Sequence, residues 1–183
     1  MLFFFSILSF CSFAQKENSG DKYGKTLNLG LGIGGYSGYY GYIGRTLPVL
    51  HLDYEFDVAK NFTLAPFLNF YSFSNKYYWG NNHYPYKYYY YHESVIPIGL
   101  KGTYYFDKLV KANSNWDFYL AGSLGFAIVS RTWDSDYYGD INYHNPDPLF
   151  LDIHLGTEYH INNRLGLFLD LSSGVSTVGL AIH

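Results

Sequence analysis

The ionisable residues of this chain alternate with apolar ones. In Leu50-His51-Leu52-Asp53-Tyr54-Glu55-Phe56-Asp57 every second residue can titrate. In an extended segment His51, Asp53, Glu55 and Asp57 therefore share one face, and Leu52, Tyr54 and Phe56 take the other. The same parity groups Asp152, His154 and Glu158, and assigns Lys101, Arg131, Arg164 and Asp170 to the polar side of their own segments. Imidazoles and carboxylates at this spacing can bind a cation, pass protons or ions along a path, or pair with lysine and arginine to fill a polar interior. Pairing with Lys101 or Arg131 accounts for His51, Asp53 and Glu55 at least as well as a bound cation does, so the favoured expectation is a charged plug rather than an ion path.

Catalytic patterns are thin. Nucleophilic chemistry needs a serine or cysteine beside a base. The serines of Phe168-Leu169-Asp170-Leu171-Ser172-Ser173 have no neighbouring histidine, and Gly122-Ser123-Leu124-Gly125 lacks the spacing of a nucleophile elbow. The single cysteine, Cys11, lies in the apolar leader. Asp134-Ser135-Asp136-Tyr137-Tyr138-Gly139-Asp140-Ile141-Asn142 faintly echoes a calcium loop, but Tyr138 stands where an oxygen ligand belongs and Asn145 where a bidentate glutamate belongs. An acidic, solvated loop is the simpler reading. Asn61-Phe62-Thr63 matches a glycosylation pattern by chance. No enzymatic activity, cofactor or metal is expected.

A second chemistry is aromatic. Between Tyr77 and Tyr91 the chain places eight of its 22 tyrosines in fifteen residues, a segment that reads as neither a clean helix nor a clean strand. Tyr77, Tyr78, Trp79, Asn81, Asn82, His83, Tyr84 and Tyr86 have the composition of a binding surface, where tyrosine supplies contact area at low entropic cost. Tyr88 to Tyr91 suit a girdle at a membrane interface, with an apolar ring and a wet hydroxyl.

These side chains are positioned by segments of period two. Strands are expected at Thr26–Ile33, Leu50–Asp57, Phe62–Phe73, Val95–Phe106, Asp117–Arg131, Leu149–Ile161, Leu165–Ser172 and Thr177–Ile182. Most have the 9–11 or so residues that a tilted strand needs to cross a bilayer. Pro66 and Pro97 fall inside strands and each removes a ladder donor. Short turns at Val58–Asn61, Asp107–Asn115 and Asn162–Arg164 alternate with longer connections at Tyr36–Thr46, Ser74–Ser94 and Thr132–Pro148, with a last short hairpin at Ser173–Ser176. The apolar parity, including Leu29, Leu31, Leu68, Leu100, Leu124, Leu151, Ile153, Leu169 and Leu180, carries no charge, whereas the opposite parity holds the charges together with Gly30, Gly32, Gly99, Gly125, Gly156 and Gly166. Grease outside and charge inside is the arrangement of a transmembrane barrel. The expected fold is all-β, an eight-stranded antiparallel up-and-down transmembrane β-barrel.

Composition agrees. Charged residues are 15% of the chain and aromatics 22%, against roughly 25% charged in an ordinary soluble domain. A net charge of -3 without a basic cluster excludes nucleic acid as a partner. Met1 to Ala14 is an apolar run closed by Ser12-Phe13-Ala14, a signal peptide lacking a basic start. A lipidated Cys11 fits poorly, because Phe10 precedes it. The division expected is a signal peptide over 1–14, a periplasmic stretch over 15–24 and a barrel over 25–183.

With leader, eight alternating strands and long loops on one side, residues 25 to 183 resemble the small outer-membrane barrels of Gram-negative bacteria, of the OmpX, OmpA-barrel and OmpW type. The Phe13-Ala14-Gln15 junction and the tyrosine-rich loops are similar to those of Bacteroidota members. The resemblance implies an outer-membrane location with loops extracellular and termini periplasmic, contact with outer-membrane lipid, and insertion by the barrel-assembly machinery. That machinery reads a last strand ending in an aromatic residue, and this chain ends Gly179-Leu180-Ala181-Ile182-His183 instead. Lipid A deacylases of similar size carry a His-x-Ser pair, which is missing here. The implied role is structural or adhesive, with a host or glycan ligand for the loops; the alternatives are a narrow channel for small or apolar solutes and, behind it, a lipid A-modifying enzyme.

Overall fold

A computed structural model describes residues 23–35, 46–139 and 148–183, without the side chains of 46, 47 and 150. The expected signal peptide with Cys11, residues 15–22, the first loop over 36–45 and residues 140–147, which include Asp140, Ile141, Asn142 and Asn145, lie outside the described residues.

Strands β1 (Thr26–Gly34), β2 (Thr46–Ala59), β3 (Phe62–Asn81), β4 (Tyr84–Tyr105), β5 (Trp116–Trp133), β6 (Leu149–Asn162), β7 (Leu165–Ser172) and β8 (Val175–Ile182) pair in sequence order. A four-residue helix, α1 (Asp107–Val110), lies between β4 and β5. Every neighbouring pair is antiparallel, and β1 also pairs with β8, from Leu27 opposite Ile182 to Gly34 opposite Val175, so the sheet closes. Closure leaves no free edge of backbone donors and acceptors, as hydrocarbon requires.

The two faces follow the alternation. Leu29, Leu31, Leu52, Leu68, Leu100, Leu124, Leu151, Ile153, Leu169 and Leu180 all point out of the barrel and are exposed. Their partners in parity, among them Asn28, Asp53, Glu55, Lys101, Asp152 and Asp170, are buried in the lumen. A water-soluble barrel would have the reverse polarity. Tyr54, Tyr104, Trp116 and Tyr159 stand on the outer face toward the end with the short turns, an aromatic girdle on that side.

Both prolines sit where one ladder is interrupted. Pro66 pairs with Leu100 on β4, while the β2–β3 ladder breaks between Asp53–Phe67 and Phe56–Leu64. Pro97 pairs with Ala127 on β5, and the β3–β4 ladder breaks between Leu68–Ile98 and Tyr71–Val95. Opposite glycines let the wall bend sharply. Gly99 faces Gly125, and a Cβ on Gly125 would stand 2.0 Å from the carbonyl oxygen of Ile98.

Two expectations are corrected. Ser74–Ser94 is not a loop, because β3 and β4 run 20 and 22 residues and continue their pairing as a hairpin closed by Asn82 and His83. Alternating tyrosines are good strand formers, and the pairing of Asn75 through Tyr78 with Tyr91 through Tyr88 gives the segment its order. Tyr23 and Gly24, the last residues of the stretch expected over 15–24, are bound to the barrel. Both backbone amides donate to Asp57 Oδ1, and the Tyr23 ring stacks on Tyr105 with centroids 4.0 Å apart, closing the turn end of the lumen. Arg164 is exposed in the turn between β6 and β7 rather than in the lumen.

Candidate functional site

The lumen is layered. At its middle, Lys101 of β4 reaches Asp53 of β2 in a close ion pair and lies 3.9 Å from Glu55. Asn28 donates to Asp53 at 2.7 Å and Glu55 at 3.1 Å, and Thr63 and Tyr105 donate to Glu55 at 2.6 and 2.8 Å. His51 bridges Asn69 at 2.6 Å and Asp53 at 3.0 Å. The cation that His51, Asp53 and Glu55 could have bound is supplied by the chain itself as the Lys101 ammonium. An eight-stranded interior has room only for its own side chains, so buried charges must be paired within it.

Across the lumen, Ser123 Oγ lies 2.8 Å from His154 Nε2, and His154 Nδ1 lies 2.7 Å from Asp170 Oδ1. Serine, histidine and carboxylate thus line up as in a hydrolase triad. No local motif announces this, because the three residues come from β5, β6 and β7. Acyl transfer also needs room for a substrate and free amide donors for the oxyanion. The adjoining cavity, lined by His51, Lys101, Ser123, His154 and Asp170 among others, is of the size of one water molecule, and the strand amides around it are spent in the ladder. Tyr119 completes the network by donating to Asp170 at 3.0 Å, its ring lying over Gly156 where a Cβ would meet it at 2.1 Å.

Toward the loop end the lumen turns apolar. Val49, Phe67, Tyr71, Val95, Ala127 and Val175 pack into one buried cluster. Above them Arg131 Nε donates to Glu93 at 2.5 Å. Glu93 was concealed in sequence because it fell inside the segment read as a loop. Asp152 is part of the loop-end rim: its carboxylate accepts from Ser172, Ser173, Gly174 and Val175 and shapes the β7–β8 turn. At the turn end, Glu158 bonds His183, and His160 bonds Asp117.

Beyond the wall stands the β3–β4 hairpin. One face packs: Trp79 and Tyr89 contact Tyr137 at 5.3 and 5.2 Å, Tyr137 stacks on Trp133 at 4.1 Å, Tyr77 meets Trp133 edge-on at 6.2 Å, and Tyr84 stacks on Tyr138 at 4.7 Å. Asn81 Oδ1 accepts from the amides of His83 and Tyr84 and sets the tip. The other face carries Tyr78, Tyr86, Tyr88 and Tyr90, each more than half exposed. Tyr78 lies 6.0 Å from Tyr86 and 5.0 Å from Tyr88, and the Lys76 ammonium sits 4.7 Å from the Tyr88 ring. Of the residues singled out from sequence, Tyr78 and Tyr86 join this ladder, Asn82 and His83 form the tip, and Tyr77, Trp79 and Tyr84 are spent on packing.

Tyr88 and Tyr90 stand apart from the aliphatic belt. Below them on the outer face comes a polar band in which His92 bridges Ser72 at 2.8 Å and Ser74 at 2.9 Å. Only beneath that band does the aliphatic belt begin, at Phe70 and Ile96. Six residues separate Ile96 from Tyr90, or about 20 Å along a strand. The calcium-like segment is also occupied. Asp134 Oδ2 accepts from the Tyr90 amide at 2.8 Å, and Asp136 forms an exposed ion pair with Lys87.

No family model matches the chain, and no curated protein matches it in sequence. Solved structures do match in shape. Neisserial surface protein A superposes with a TM-score of 0.54 at 13% identity, covering 86% of this chain and 94% of its own. The fold is that of a small outer-membrane β-barrel. A de novo designed transmembrane β-barrel gives a TM-score of 0.47 at 11% identity over 91% of this chain and 98% of its own. Ail, the attachment invasion locus protein of Yersinia pestis, solved with the heparin analogue sucrose octasulfate, gives 0.41 at 8% identity over 86% and 92%.

Proposed function

We propose that this small outer-membrane barrel is a surface adhesin that binds through the tyrosine ladder of its β3–β4 hairpin, with the loop end extracellular, the termini periplasmic and the lumen closed to solutes. The observation that carries this reading is the ladder itself. Four tyrosines that the molecule leaves exposed are held on a rigid two-stranded support, clear of the aliphatic belt by a polar band. Their rings offer flat apolar area and their hydroxyls a hydrogen-bonding edge, which suits the faces of sugar rings or a protein surface. A glycan is the favoured ligand class, and a host protein is the other outcome of the test. The paired lumen charges and the apolar layer of Phe67 and Tyr71 speak against the channel alternative, and the water-sized cavity beside Ser123 speaks against a lipid A-modifying activity. Insertion would pass through the barrel-assembly machinery, with outer-membrane lipid as the permanent partner of the belt.

The test is binding of intact cells displaying the chain to a glycan array and to immobilised host matrix proteins. The triple variant Tyr86→Ser, Tyr88→Ser, Tyr90→Ser should lose binding and keep the heat-dependent shift in electrophoretic mobility of a folded barrel. Equal binding by this variant and the unaltered chain would sink the adhesin reading.

A further inference from the structure

At the turn end of the lumen three side chains from two separate parts of the chain aim at one point. Glu158 and His160 come from β6, and His183 follows β8. One potential ligand atom of each lies within 4.8 Å of those of the other two; His183 Nε2 is 2.7 Å and His160 Nδ1 3.6 Å from Glu158 Oε1. Ligand atoms of a tetrahedral zinc site with bonds near 2.0–2.1 Å stand about 3.3 Å apart, so small side-chain rotations suffice.

The outer nitrogens of both rings are already engaged. His160 Nε2 lies 2.8 Å from Asp117 Oδ2, an acceptor, so this nitrogen carries a proton and Nδ1 is the ring atom that faces Glu158. His183 Nδ1 lies 2.9 Å from Thr26 Oγ1, whose own proton goes to the Tyr23 carbonyl oxygen. Thr26 therefore accepts from Nδ1–H, and Nε2 is the ring atom left to face the Glu158 carboxylate. Two imidazole nitrogens and a carboxylate oxygen then converge; a proton on His183 Nε2 holds the 2.7 Å contact when no metal is bound, and a metal ion would take that proton's place. A carboxylate orienting a metal-bound histidine, as Asp117 orients His160, is the usual supporting arrangement.

Space and charge fit as well. Gly166 leaves open the position where a Cβ would stand 2.0 Å from Glu158 Oε1. Among the described residues the ion-pair partners of Glu158 and Asp117 are histidines alone, leaving two carboxylates at this mouth without a lysine or arginine. The His160 and His183 side chains are 26% and 22% exposed, which provides a path for an ion and room for a water ligand.

We propose that Glu158, His160 and His183 bind one divalent first-row transition metal ion, zinc above all, which ties the last strand to the barrel wall next to the β1–β8 seam. Nitrogen and oxygen donors of this kind favour zinc or copper over calcium or magnesium. The test uses the full chain refolded in detergent without a polyhistidine tag, stripped with chelator and titrated with Zn²⁺ against a chromophoric competitor. One Zn²⁺ per chain is expected. His160→Ala and His183→Ala should each weaken uptake by more than about tenfold, and Asp117→Asn, acting through His160, by about 10–100-fold. His92→Ala, on the outer face, should leave uptake unchanged. As a second readout, Zn²⁺ should raise the temperature of the electrophoretic shift for the unaltered chain and not for His160→Ala, whose metal-free shift also shows that it folds. No uptake, or equal uptake by His160→Ala and the unaltered chain, overturns the proposal and leaves an imidazolium–carboxylate pair at this place.

Discussion

Lys101 organises the lumen because it is the positive charge that two buried carboxylates share. Removing one partner of such a group leaves charge in a place that water cannot reach, at a cost of about 3–5 kcal/mol. Lys101→Met should lower unfolding stability by that order in urea titrations followed by tryptophan fluorescence. Adding Asp53→Asn and Glu55→Gln to the same chain should recover part of the loss, since the stranded charges then disappear too. If Lys101→Met alone were neutral, the ion pair with Asp53 would not be what holds the middle of the barrel. The clustering of these residues was visible as parity along single strands. Their partners Asn28, Thr63, Tyr105 and Tyr119 were not, because an uncharged side chain on the inner parity carries no sign of which neighbour it will meet.

At the scale of elements the hairpin is the informative case. Its rigidity has two sources, the aromatic packing against Trp133 and Tyr137 and the exposed Lys87–Asp136 tether. The hydrogen bond to Asp136 holds the Lys87 pKa above its ordinary value, and the same bond holds the Asp136 carboxyl below its own. A lowered carboxylate pKa stabilises the folded form above the unfolded value and loses that contribution as pH falls through the folded one; a raised lysine pKa stabilises below the unfolded value and is lost as pH rises through the folded one. The tether is therefore complete across neutral pH and opens at both extremes. Nicking of the hairpin by an acid-active protease should increase as pH drops below the ordinary carboxylate value of 3.8. In Lys87→Gln that acid step should be absent, because no ion pair remains to be lost. An unchanged acid step in the variant would assign it to another group. Period two predicted strands here only as far as Phe73 and from Val95, because the run of tyrosines erases the contrast between faces that the pattern depends on.

For the whole molecule the decisive quantity is the polarity of the outer wall. Leu124 stands on β5 within the aliphatic belt and is 57% exposed. A charge at the midplane of a bilayer costs roughly 2–4 kcal/mol on such a wall, falling toward zero near the interfaces. Leu124→Arg should destabilise folding into lipid vesicles by about that amount, measured as the shift in urea midpoint. The same substitution at an exposed hairpin position such as Tyr86 should be close to neutral. Equal effects at both sites would mean that the belt does not sit in hydrocarbon.

The alternation of grease with charge determined the strand number, the order of pairing and which residues look outward, since these follow from a backbone whose side chains change face at every step and whose donors must all be paired in lipid. Tertiary structure alone decided what the inward residues do to one another. Ser123, His154 and Asp170 meet only because β5, β6 and β7 curve around one axis, the apolar layer of Phe67 and Tyr71 forms only when five strands bring it together, and Glu158 finds His183 only once β7 has drawn β6 and β8 to its two sides. Contacts across a lumen depend on strand stagger and on curvature set by small residues such as Gly99 and Gly125, and neither has a period that a linear pattern can display.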